Sequence, residues 1–288
     1  MEFYLTVLLQ GFCFAGLAFG IYISMKIFNI PDITTDGSYT LGGVVTGAMM
    51  VHHQPGYLIL PVVIFAGAIA GALTGLIHTK LKINALLAGI LVMTALYSVN
   101  LTILGRSNLP LLNLPGLFTM LNIVKDVNQN SLIILIGFVL IITFIIGYLL
   151  KTDFGIAMRA TGNSEAMVRA LGVNTDNMKI TGLAMANALT ALSGYLVVQQ
   201  QGFADISMGI GIVIIGLGSV IIAETIINWL QVTSVWLSLI LVLSGAIIFQ
   251  SVLAFTLNIG VDPNLLKLVT ALFVLIIVGI PRLTGRQI

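Results

Sequence analysis

Apolar runs of about the length that crosses a bilayer follow one another along almost the whole of this chain, and that succession leaves little choice of fold. A helical span needs about 20 apolar residues. Leu5–Ile27, Leu58–Ile77, Ala85–Leu104, Leu132–Leu150, Ile180–Val198, Ile210–Ile227, Val235–Phe255 and Leu265–Ile280 meet or approach that length, and Leu41–Val51 is a shorter, glycine-broken run. In hydrocarbon each backbone N–H and C=O needs a partner within the protein, which a helix supplies segment by segment. The fold class that follows is an all-α polytopic membrane protein of about nine spans (range eight to ten), with short broken helices, forming one transmembrane domain over residues 1–288. Gly67, Ala70, Gly71 and Gly75 predict a helix face that a neighbour approaches closely.

Where the charges fall sets the next constraint. Only 8% of the residues are charged, against about 25% in a soluble domain. Seven of the 22 charged side chains lie in one loop, 151–179: Lys151, Asp153, Arg159, Glu165, Arg169, Asp176 and Lys179. Inside it Asn163 reads as an N-cap, Glu165 as the acid of a first turn, Glu165 and Arg169 as an i, i+4 pair, and Gly172 as the stop. A helix of about two turns is not stable alone in water, so it must dock. Lying between two spans, it suggests contact with a soluble partner.

Basic residues mark the side of the membrane that faces the cytoplasm. Lys151, Arg159, Arg169 and Lys179 place the central loop there, and counting spans outward places Lys26, Lys80, Lys82, Arg282 and Arg286 on the same side. The C-terminus is then expected inside, and the 105–130 loop, with Arg106 and Lys125, outside. The N-terminal MEFYLTVLLQGF has no basic stretch and runs on to full span length, so no cleavable signal is expected.

A motif of the form D-x-S-x-x-[LI]-G occurs at Asp36–Gly42, with Ser38, and at Asp205–Gly211, with Ser207. Five spans separate the copies, so the halves, about 5–104 and 180–280, would be an inverted repeat, a recurring transporter design with its path along the repeat interface. Asp36, Ser38, Asp205 and Ser207 are candidates to cap or gate the two segments they open; capping of the segment's own start is the simpler reading.

No set of residues reads as a catalytic centre. His52, His53 and His78 do not have metal-ligand spacing, and no phosphate-cradling loop is present, so this chain is not expected to hydrolyse nucleotide or hold a metal or cofactor. The net charge of +2 carries no sign of nucleic-acid binding. Cys13 reads as a small buried hydrophobe. Polar residues inside spans are path candidates: Thr94, Tyr97 and Asn100 in the fourth, Asn187 and Thr190 in the sixth; hydrogen bonding between helices is the competing role. Glu224, the only acid inside a predicted span, has no partner visible in the sequence.

The run Phe154–Asn163, followed by Ala170-Leu171-Gly172-Val173, resembles the cytoplasmic loop of bacterial ABC-importer permeases of the branched-chain amino acid and ribose group. More narrowly, Asp32–Gly42, Leu87–Leu101 and Asp262–Lys267 look like a subgroup associated with aromatic amino acids such as tryptophan and tyrosine. The resemblance spans essentially the whole chain. It implies a non-enzymatic permease in the bacterial plasma (inner) membrane that imports a small polar solute, an amino acid and by the subgroup an aromatic one. ATP and Mg would be bound by a partner ATPase subunit. It also implies an extracytoplasmic solute-binding protein and a second permease copy, as a homodimer. The ATPase would dock on the coupling helix, here Gly162, Asn163, Ser164, Glu165, Met167, Val168, Arg169, Leu171 and Gly172. Of these, Asn163, Ser164, Glu165, Met167, Val168 and Leu171 are expected to be exposed. An ion-coupled secondary transporter is the alternative, since inverted repeats and broken helices suit it equally.

Overall fold

The computed structural model describes residues 2–112, 114–121, 124–262 and 265–283. Pro263, Asn264 and Arg286, which figure in the motif and orientation readings, lie outside them. Each of the nine apolar runs is helical. The first is a bent pair, α1 (Glu2–Cys13) and α2 (Ala15–Ile21), and α2 runs on as a π-helical turn, Tyr22–Ile27. Then come α3 (Thr34–Val51), α4 (Gly56–Lys80), α5 (Ala85–Leu104), the short α6 (Leu117–Met120), and α7 (Val127–Lys151). The charged loop folds as α8 (Asp153–Asn163) and α9 (Glu165–Ala170). The chain ends in α10 (Thr175–Gln201), α11 (Ile212–Trp229), α12 (Val235–Asn258) and α13 (Leu266–Leu283).

Among the described residues six helices are long and apolar enough to cross a membrane, or seven with the bent pair counted as one span. The expected count of about nine is therefore not reached on length and composition. Part of the difference lies in α3, whose hydroxyls and Asp36 lower its hydropathy. A break is present in the first span, bent by 40° between Cys13 and Ala15, whereas the glycine-broken run Leu41–Val51 lies inside the continuous α3.

Helix α10 is the axis, packed against α2, α3 and α4. Glycines make the contacts close. A Cβ at Gly67, Gly71 or Gly75 of α4 would run into the α10 backbone at Asn187, Leu183 and Ile180, so the predicted small-residue face is the α4–α10 seam. A second group forms around α12, which packs on α1, α7 and α11. Apolar side chains such as Phe65, Leu140 and Phe144 stand exposed on the outer faces of α4 and α7, as surfaces in contact with hydrocarbon do. At one end of the bundle, β1 (Asn108–Pro110) pairs antiparallel with β2 (Phe203–Asp205), Asn108 opposite Asp205. The charged 151–179 loop lies at the other end of α10.

Candidate functional site

Three constructions concern function: the charged loop, the polar contacts at the middle of the bundle, and a cavity beside the β1–β2 pair.

The loop forms the short helix expected of it, with one residue's difference at its start. Asn163 is the last residue of α8, and Ser164 is the N-cap of α9, its hydroxyl accepting from the Met167 N–H at 3.4 Å. Either residue type could cap; the turn that closes α8 decides which does. Gly172, at φ +85°, ends the turn as its position suggested. The Glu165–Arg169 pair is present at 2.8 Å and belongs to a larger network. Arg169 also donates to Thr175 Oγ1 and to Asp176, Lys179 donates to Glu165, and Lys80 of α4 reaches Asp176 at 3.6 Å. Chiefly through the Lys179 hydrogen bond, the Glu165 carboxyl is held below its ordinary pKa. The network fastens α9 to the first turn of α10 and leaves its other face free.

On that face Met167 is 65% and Leu171 is 72% exposed. Val168 corrects the expectation of an exposed residue: at 3% it is buried, because it occupies the side of α9 turned toward the bundle. Helix α8 carries the loop onto the first span. Gly162 lies against the Ile27 carbonyl so closely that a Cβ would not fit, and Asn29 Nδ2 donates to the Gly162 carbonyl at 3.1 Å.

The path candidates do not converge. Thr94 and Tyr97 are exposed on the outer face of α5, Thr94 bonded to its own helix at Ile90. Asn100 is buried and donates to the Gly37 carbonyl, its own Oδ1 left without a partner among the described residues. Asn187 is fully engaged: its amide donates to Asp32 Oδ2 at 2.6 Å and to Leu183, while its oxygen accepts from Ser38 at 2.7 Å. Thr190 bonds back to Ala186. Asn187 and Ser38 thus tie α3 to α10, the helix-joining role that polar membrane residues commonly take. Asp32 lies outside the apolar runs and entered the sequence reading only as the first residue of the Asp32–Gly42 motif.

The two D-x-S motifs fold differently. Asp205 ends β2 and accepts from the Ser207 N–H and hydroxyl and from Asn108 Nδ2. Asp36 lies inside the first turn of α3 and does not cap it. Its carboxylate reaches across to α11, accepting the Gly211 N–H at 2.9 Å and the Val213 N–H at 2.8 Å. Capping is therefore the right chemistry on the wrong helix: a tertiary contact places the acid of one segment on the start of another. Glu224 also has a partner, Lys26 at 3.1 Å, which joins α11 to the π-helical end of the first span.

The cavity, of about 490 Å³, opens among α1, α3, α10, α11 and α12 beside β2. Tyr39, Met208, Ile212 and Gln250 are on its wall, and none of the five path candidates is. Gln250 was legible as the one amide in the apolar run Val235–Phe255, and the sequence reading missed it. Among the described residues no cluster of His, Cys, Asp and Glu could hold a metal ion.

Residues 3–279 match the family described as branched-chain amino acid transport system, permease component. The chain is 34% identical to a tyrosine transport system permease protein of Clostridioides difficile, over 94% of this chain and 88% of that one. It is 34% identical to an uncharacterized protein of Rickettsia prowazekii, over 96% of each. A ribose import permease protein of Haemophilus influenzae is 24% identical over 77% of this chain and 68% of its own. No solved structure matches.

Proposed function

Because the chain belongs to the branched-chain amino acid transport permease family, we propose that it is the membrane-spanning subunit of an ATP-powered importer in the bacterial plasma membrane, carrying an amino acid inward. A tyrosine permease among its relatives supports an aromatic solute. A separate ATPase subunit binds ATP and Mg, an extracytoplasmic binding protein delivers the solute, and two permease copies work together. The 151–179 loop and the C-terminus face the cytoplasm.

One observation carries this reading: a short helix held rigidly by ionic and hydroxyl contacts while presenting two bare apolar side chains, Met167 and Leu171. Such a surface fits a groove in a soluble protein, with large apolar anchors supplying most of the binding energy. The contacts behind it give displacement two routes into the membrane. Arg169, through Thr175 and Asp176, moves the start of α10; Gly162, against Ile27 and Asn29, moves the bent first span. A pull on α9 therefore acts on both of the elements whose relative motion would open one face and close the other. No chemistry is asked of the helix.

The test is co-purification and ATP-driven uptake in proteoliposomes with the partner ATPase and binding protein. Leu171→Asp places a charge in the contact and should weaken ATPase binding at least tenfold, with uptake lost and the permease still folded. Deleting 163–171 should abolish coupling. Uptake that survives ATP depletion and collapses with an ion gradient would overturn the reading in favour of a secondary transporter.

A further inference from the structure

The ion pair between Lys26 and Glu224 adds little to the hold of the bundle, and its place in the fold points to another use. The charged atoms are 3.1 Å apart, with the lysine side chain 46% and the glutamate side chain 17% exposed. A pair that reaches water in this way contributes little to stability. The helices it joins are seated without it: a Cβ at Gly216 of α11 would run into the Ile21 and Leu17 side chains of α2, so an apolar seam already closes there. Glu224 lies eight residues further along α11, about 12 Å beyond that seam. Lys26 lies beyond it as well, on the π-helical turn Tyr22–Ile27. Turns of this kind are rare and are frequent at functional sites. The next residue, Ile27, is where Gly162 of α8 packs on the first span, and Asn29 holds the Gly162 carbonyl. Along the first span the order is therefore a close seam at Leu17 and Ile21, a weak ionic tie at Lys26, and the contact from the charged loop at Ile27 and Asn29. A pivot, a tie and a point of application stand in line.

We propose that Lys26 and Glu224 form a latch, closed in this conformation and opened when the coupling loop is displaced, so that movement of α9 reaches α11 as well as α10. The proposal rests on the importer reading for what displaces the loop. Displacement of α8 arrives beside Lys26 and turns the end of the first span about the Gly216 seam. The start of α11 is held separately, by Asp36 at Gly211 and Val213, so the opening is confined to the other end of that helix. Both side chains already reach water, so neither charge is stranded when the pair parts. A contact made in only one of two arrangements biases the equilibrium between them. Without it the first span and α11 part without waiting for the ATPase, and ATP is spent without import. Neither residue touches solute or nucleotide; both are positioning residues.

The experiment measures ATP hydrolysed per tritiated L-tyrosine imported by the permease in proteoliposomes with its ATPase and binding protein. Lys26→Met and Glu224→Gln should each raise that ratio severalfold, with the melting temperature and co-purification of the ATPase unchanged. The exchanged pair, Lys26→Glu with Glu224→Lys, should bring the ratio back toward the wild type, a recovery that loss of packing would not show. Opening is read by cross-linking. Lys26→Cys with Glu224→Cys, in a Cys13→Ser background and bridged by a short thiol-specific reagent, should lose uptake, and reductive cleavage of the bridge should restore it. Single variants coupled as tightly as the wild type would overturn the proposal. So would an exchanged pair that recovers nothing, uptake that continues with the bridge in place, or a melting temperature lowered by more than about 3 °C in a single variant, which would make the pair a structural clasp. The importer reading fails separately: a wild type without ATP-driven uptake removes that reading and the latch with it, whereas a coupled wild type whose variants stay coupled removes the latch alone.

Discussion

Replacing Asp36 is the sharpest test of how the two halves of the bundle are joined. Its carboxylate accepts the Gly211 and Val213 N–H groups at 2.9 and 2.8 Å while only 8% of the residue is exposed. Asp36→Ala removes both acceptors. Loss of a helix cap alone costs about 0.5–2 kcal/mol. Each buried donor left unpaired costs about 1–3 kcal/mol. With water able to reach one of them, the total is about 3 kcal/mol. Asp36→Asn keeps one acceptor oxygen and loses the charge at the positive end of α11, for about half that cost. For chains of this size a destabilisation of 1 kcal/mol lowers the melting temperature by about 2 °C, so decreases of about 6 °C and 3 °C are expected. The assay is thermal unfolding of the purified permease, with hydrogen exchange of residues 208–216 as the local readout. Exchange there should quicken in both variants, more in Asp36→Ala. If both variants melt with the wild type and exchange at 211–213 is unchanged, the cross-helix cap is refuted.

Other perturbations test the remaining contacts. Gly71→Val should prevent α4 from seating on α10, at a cost of about 3 kcal/mol or more, read as loss of the monodisperse peak in size-exclusion chromatography. Lys26→Ala and Glu224→Ala should each cost little, and their double-mutant cycle should show a coupling of about 0.5 kcal/mol, because the lysine is half in water. The Glu165 carboxyl has its pKa lowered in the folded protein, so its contribution is full above the ordinary value of 4.5 and is lost only as pH falls through the depressed one. Exchange protection of the α9 amides should accordingly hold down to about pH 4.5 and fade below it in the wild type, while Glu165→Gln should be flat over that range.

What the sequence allows one to read, and what it hides, divides along the range of the interactions. The spans were legible because hydrocarbon imposes a length and a composition on each segment independently. Glu165–Arg169 and the stop at Gly172 were legible because partners four residues apart on a helix need no knowledge of the fold. The polar partnerships were not. Asp36 meets Gly211, Asn187 meets Asp32, and Glu224 meets Lys26, in each case across well over a hundred residues, and nothing local distinguishes an acid that caps its own helix from one that caps another. For the same reason Asn187 and Thr190 read as path candidates, although both are taken up by bonds inside the bundle. Gln250 carried the same local signal as they did; only its buried amide nitrogen, without a partner among the described residues, sets it apart.

The contact between Asp36 and α11 has a further consequence for the order of synthesis. The carboxylate emerges from the ribosome 175 residues ahead of the first of its two donors. Until those donors arrive it is an acid without partners, and an unpaired acid in hydrocarbon is costly to insert. Helix α3 is therefore expected to wait at the membrane surface, or beside the translocon, while the chain through α10 is made. It would settle into place only when the 205–213 segment folds back to meet it. Nascent chains stalled before residue 205 should leave Asp36 accessible to water, and those stalled after α11 has cleared the ribosome should bury it. On this view the fold is completed from its middle, after most of its spans are already in the bilayer.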